Sequence, residues 1–109
     1  MNIRITIGTG KTKDGNVIHP RTRDLVLDQI RRHAALAFGG WTESAARGGW
    51  VDDQGNVVTE SVVVFDIAVT APFRGLHQDH INTIVQLAKD ELHQACVLVQ
   101  FLHGESTIS

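Results

Sequence analysis

The chain has 109 residues, of which 42% are hydrophobic and 20% charged, with a net charge of −2 at neutral pH. That length fits one domain, residues 1–109, whose core buries about two thirds of the surface of the unfolded chain. The composition excludes a disordered chain, no apolar run reaches the ~20 residues that span a bilayer, and the near-neutral balance gives no general attraction for a nucleic-acid backbone.

Along the chain, Ile3, Ile5 and Ile7 alternate with Arg4 and Thr6, which is the period of a half-buried strand. Gly8 to Pro20 is rich in turn signals, among them Asp14-Gly15-Asn16, and closes with His19-Pro20, a pair that disfavours helix at His19. A helix is expected from an N-cap at Thr22 to Phe38, with Val26, Ile30, Ala34 and Ala37 as its buried stripe. Gly39-Gly40 ends it, because glycine accepts the left-handed conformation that closes a helix. Two strands follow around the hairpin-like turn Asp52-Asp53-Gln54-Gly55-Asn56, the second broken by Ala71-Pro72-Phe73-Arg74-Gly75. A second helix covers roughly residues 77–94, with Ile81, Ile84, Val85, Ala88 and Leu92 on one face. Residues 96–102 form a last strand with Cys96 inside it, which leaves an ordered core over 1–103 and a polar tail over 104–109.

The order strand, helix, strand, strand, helix, strand predicts an α+β fold of ferredoxin-like type, the βαββαβ split sandwich. Right-handed crossovers give a four-stranded antiparallel sheet of order 4-1-3-2 with both helices on one face. The core then takes Ile3, Ile5 and Ile7, Val63, Phe65 and Ile67, and Val97, Val99 and Phe101. The opposite face receives Arg4, Thr6, Val62, Val64, Asp66, Ala68, Leu98, Gln100 and Leu102, of which five are apolar. An apolar patch of that kind marks an interface or a groove, unless the C-terminal tail or the Gly8–Pro20 loop covers it. The strand order also lets Arg4, Asp66 and Gln100 meet there as a polar cluster among apolar neighbours.

Other motifs weigh less. Gly8-Thr9-Gly10-Lys11-Thr12 lacks the first glycine of a phosphate-binding P-loop, since Ile5 stands in its place, and at most a looser anion nest is expected. His77 and His80 share a helix face, but spacing supplies no third ligand, so no metal site is expected. No arrangement of nucleophile and base identifies catalytic residues. Trp41 and Trp50 each follow a Gly-Gly pair that lets a ligand approach, and Arg47 lies near Trp50.

The runs Phe38-Gly39-Gly40-Trp41-Thr42, Ala46-Arg47-Gly48-Gly49-Trp50, Gly55-Asn56-Val57-Val58 and His93-Gln94-Ala95-Cys96-Val97-Leu98-Val99 resemble a set of small uncharacterised bacterial and phage proteins. The resemblance covers most of the chain, implies the same βαββαβ fold and carries no established catalytic residues. In a phage setting it is compatible with small oligomeric proteins that sequester nucleotide signals of host immunity. The expected function is a cytoplasmic homo-oligomer that holds a small polar or nucleotide-like ligand, without a cofactor, through Arg4, Arg47, Trp50, Asp66 and Gln100. Two rivals are a cofactor-independent enzyme of the dimeric α+β barrel type, and a protein that inhibits a host target by direct contact.

Overall fold

The computed structural model describes residues 1–70 and 72–102. The expected tail over 104–109, His103 and Ala71 lie outside them. The elements are β1 (Asn2–Gly8), α1 (Pro20–Phe38), β2 (Thr42–Val51), β3 (Val57–Ala68), α2 (Gly75–Glu91) and β4 (Leu98–Leu102). They form one antiparallel sheet of order β2-β3-β1-β4, the expected split sandwich.

The core lies between the sheet and the two helices because alternation in the strands meets the helical stripe. Ile3, Ile5, Ile7, Phe65 and Ile67 from the sheet pack with Val26, Leu27, Ile30 and Ala34 of α1 and with Ile81, Ile84 and Ala88 of α2. Burying a side chain of this size contributes roughly 1.5–3 kcal/mol. Val63, Val97 and Val99 pack against this cluster from its margin. Phe101 stays partly exposed because β4 is an edge strand, and it rests edge-on against Phe73. No described helix is long and apolar enough to cross a membrane.

Three local expectations change. First, α1 begins at Pro20 and its cap is His19, not Thr22: His19 Nδ1 accepts a hydrogen bond from the Arg21 N–H. An imidazole nitrogen does here what a hydroxyl commonly does, and Pro20 fits the first helical position because no N–H is needed there. Second, α2 ends at Glu91 and β4 begins only at Leu98, so Cys96 precedes the strand and is exposed. The intervening residues carry the chain from the helix layer back to the sheet edge, with His93 at positive φ. Third, the Gly8–Pro20 connection, expected as a run of turns, forms a small hairpin closed by the bridge between Lys11 and Val17. The amides of Thr12, Lys13, Asp14, Gly15, Asn16 and Ile18 all donate to acceptors within the protein.

β2 and β3 extend beyond the rest of the sheet. β1 stops where Gly8 faces Val62, and the pairing of β2 with β3 continues outward to Val51 opposite Val57. The turn at the tip is held by Asp52 Oδ1, which accepts from the N–H groups of Gln54 and Asn56, and by Gly55 at φ 81°. This ribbon exposes Trp50 (54%) and Val57 (74%).

Candidate functional site

Register places Thr42, Asp66, Arg4 and Gln100 of the sheet face opposite the helices in one row. Thr42 faces Asp66, Asp66 faces Arg4 and Arg4 faces Gln100, so the row crosses all four strands. Arg4 Nε donates to Asp66 Oδ1 at 2.8 Å. The next row toward the hairpin is Ser44, Val64, Thr6 and Leu98, and the row on the other side contains Ala68, Asn2 and Leu102. A charged pair thus sits between mixed and apolar neighbours, with Arg4 and Asp66 both still reachable from solvent.

Asp66 also lines a cleft of about 390 Å³ at the end of the sheet. The other walls are Asn2, the α1–β2 connection from Phe38 to Thr42, and Ile67 with Ala68. A volume of this order suits a small molecule. Gly39 adopts φ 89° as the left-handed close of α1, and neither Gly39 nor Gly40 has atoms close enough to fill the space beside it. The two glycines therefore turn the chain sharply and leave the mouth open.

One wall is fixed by an ion pair between helix and edge strand. Arg31 of α1 donates through Nε and Nη2 to the two carboxylate oxygens of Glu43 at 2.6 and 2.9 Å, and its Nη1 reaches Asp28 at 2.6 Å. The Trp41 indole N–H donates to Glu43 Oε1 at 3.0 Å. The Arg31 guanidinium holds the Glu43 carboxyl below the usual carboxylate range against the opposing effect of burial, and the Trp41 N–H adds to the shift. The same hydrogen bonds raise Arg31, with desolvation opposing. Forked geometry of this kind fixes orientation as well as charge. The indole beside the cleft is tied to that fork through its N–H.

Of the expected site residues, the fold brings Arg4, Asp66 and Gln100 together. Arg47 and Trp50 lie elsewhere, in the projecting ribbon, where three positions of separation put them on opposite faces. Arg47 is opposite Ser61, five residues along β3 from Asp66, or about 17 Å at strand spacing. Trp41, Thr42 and Asn2 were absent from the expected site. The signal for Trp41 was present in Gly39-Gly40-Trp41, but its wall is built by Arg31 and Glu43, which are 12 residues apart.

The histidines distribute differently from their spacing. His77 does not join His80: its Nδ1 accepts from the Arg74 N–H at 3.0 Å, and its ring packs between Phe38 and Phe73. His80 instead meets His33 of the other helix, Nδ1 to Nε2, at 3.1 Å. Burial, and the neighbouring His80, push His33 below the usual imidazole range. Among the described residues, no three His, Cys, Asp or Glu side chains gather as a metal-binding group.

Comparison with protein-family models and with curated protein sequences finds no match. Comparison with solved structures finds the same fold in a phage SAM lyase. Its complex with S-methyl-5'-thioadenosine superposes with a TM-score of 0.64 and 20% identity, over 90% of this chain and 76% of the lyase chain. The apo form of a phage SAM lyase gives 0.62 and 21%, over 90% and 75% of the two chains. At this level of identity the likeness is one of fold, and it agrees with the resemblance to small phage βαββαβ proteins.

Proposed function

We propose that this chain is a homo-oligomeric binding protein for a nucleoside of the thioadenosine class, such as S-methyl-5'-thioadenosine or S-adenosylmethionine. The observation that carries the reading is the cleft of about 390 Å³ lined by Trp41, whose indole N–H is bonded to Glu43, and by Asp66. The support from outside is that a protein of the same fold holds S-methyl-5'-thioadenosine. Trp41 offers a flat apolar surface on which a purine stacks, an interaction worth about 1–3 kcal/mol. Asp66 accepts from ribose hydroxyls, or faces the positive sulfonium of S-adenosylmethionine. Arg4 spends its Nε on Asp66 and has guanidinium N–H groups left to bind a carboxylate.

Association is supported by the uncovered face, where Val64, Ala68 and Leu102 accompany Leu98 at 56% exposure. Gln100 lines the same face, and Arg47 and Trp50 reach a site only across a subunit boundary. The place of action under this reading is the cytoplasm, where S-adenosylmethionine is available. A second reading, cleavage of S-adenosylmethionine, is favoured by the activity named for the neighbours.

Calorimetric titration with S-adenosylmethionine, S-methyl-5'-thioadenosine, adenosine and ATP tests the proposal. The thioadenosines are expected to bind more tightly than ATP, and Trp41→Ala is expected to weaken them at least tenfold. Equal affinity for all four, or none at millimolar concentration, rejects it. Chromatography of the S-adenosylmethionine mixture decides the second reading: S-methyl-5'-thioadenosine must appear faster than in the same buffer without protein, where S-adenosylmethionine slowly breaks down to it unaided.

A further inference from the structure

His33 and His80 belong to different helices, α1 and α2, and only the packing of those helices brings them together. Their facing nitrogens, Nε2 and Nδ1, are 3.1 Å apart and their ring centroids 5.0 Å apart. Two imidazoles on one tetrahedral ion with metal–nitrogen bonds of about 2.0–2.1 Å have their nitrogens about 3.3 Å apart and their centroids about 5.2 Å apart. The pair therefore matches a chelating geometry to within a few tenths of an ångström in both separations. Both rings are partly exposed at the helix seam, so an ion reaches them without opening the core.

We propose that His33 and His80 form a two-histidine site for a borderline transition-metal ion of the zinc, nickel or copper class, which ties α1 to α2. Imidazole is a preferred ligand of these ions. His33 binds through Nε2 and His80 through Nδ1, and each ring keeps its proton on the other nitrogen. In the metal-free pair one of the facing nitrogens carries a proton. On binding, that proton moves to the far nitrogen of the same ring, so neutral imidazole remains neutral and no net proton is released. No third side chain of metal-binding type accompanies the pair among the described residues, so water completes the coordination shell. The site stands apart from the thioadenosine reading and does not depend on it.

The test uses the full chain without an affinity tag, stripped of metal, and titrated separately with Zn(II), Ni(II) and Cu(II). One ion per chain is expected, with an affinity that falls at least tenfold in both His33→Gln and His80→Gln. The glutamine in His33→Gln keeps a hydrogen-bonding group at the seam, so circular dichroism of the metal-free variant is expected to match the unsubstituted chain. His93→Asn, at an exposed position of positive φ, is expected to bind as the unsubstituted chain does. With Cu(II), nitrogen hyperfine coupling in the electron paramagnetic resonance spectrum reports two imidazoles. Binding that survives both glutamine variants, coupling to a different number of nitrogens, or no binding below millimolar concentration overturns the site.

Discussion

Arg4 and Asp66 stand opposite each other in adjacent strands, within hydrogen-bonding distance and still in contact with solvent. An exposed pair of this kind contributes roughly 0–1 kcal/mol to stability, so its conservative replacement is expected to affect ligand binding more than folding. Asp66→Asn should lower thioadenosine affinity about tenfold, or roughly 1.4 kcal/mol, with a urea midpoint close to that of the unsubstituted chain. Paired calorimetric and urea titrations check both halves. Gly8 behaves in the opposite way. A Cβ at that position would collide with Gln94 Oε1, and the Gln94 amide is pinned by hydrogen bonds to the carbonyls of Lys11 and Leu92. Gly8→Ala is therefore expected to destabilise the fold by about 1–3 kcal/mol, the usual cost of overpacking. Adding Gln94→Ala should recover part of the loss in urea denaturation.

At the scale of elements, the clamp from α1 to the edge strand β2 is the contact with the clearest dependence on pH. Arg31, with help from Trp41, lowers the Glu43 pKa in the folded chain. The stabilisation is then complete above the unfolded carboxylate value, about 4.3, and is lost as pH falls through the lower folded value. Asp28 also faces Arg31 and moderates the loss. Glu43→Gln is expected to cost on the order of 1 kcal/mol at neutral pH, and the difference should vanish in strong acid. Denaturation of the two proteins across pH 2–7 measures it. The projecting β2–β3 ribbon is the other element with a distinct character. A two-stranded hairpin is marginal in water by itself, and this one exposes Trp50 and Val57.

For the whole molecule, among the described residues, both helices cover one side of the sheet and no helix covers the other. Exposed apolar area on that face is the basis for expecting self-association. Native mass spectrometry at micromolar concentration should show a homo-oligomer. Leu98→Lys, which places a charge on the exposed face of β4, should shift it to monomer with unchanged circular dichroism. A monomer in the unsubstituted chain counts against the oligomeric reading and leaves the cleft unaffected.

The period of Ile3, Ile5 and Ile7, the helical stripe of Ile81, Ile84 and Ala88 and the glycine stop at Gly39 are local patterns. With the right-handed crossover rule they sufficed to derive element order, sheet order and the core face of β1, because alternating side chains put one set of residues against the helices. The row of Arg4, Asp66 and Gln100 was legible for the same reason. Local pattern did not suffice for contacts between elements whose separation along the chain is variable. The Arg31–Glu43–Trp41 wall and the His33–His80 pair depend on how α1 docks on β2 and α2, which is decided by core volume and not by spacing. Cys96 failed for a related reason: apolar neighbours gave it the look of a strand, but the chain needed those residues to return from the helix layer to the sheet. Sequence by itself determined the fold and its uncovered face; tertiary packing decided where the cleft lies and which side chains line it.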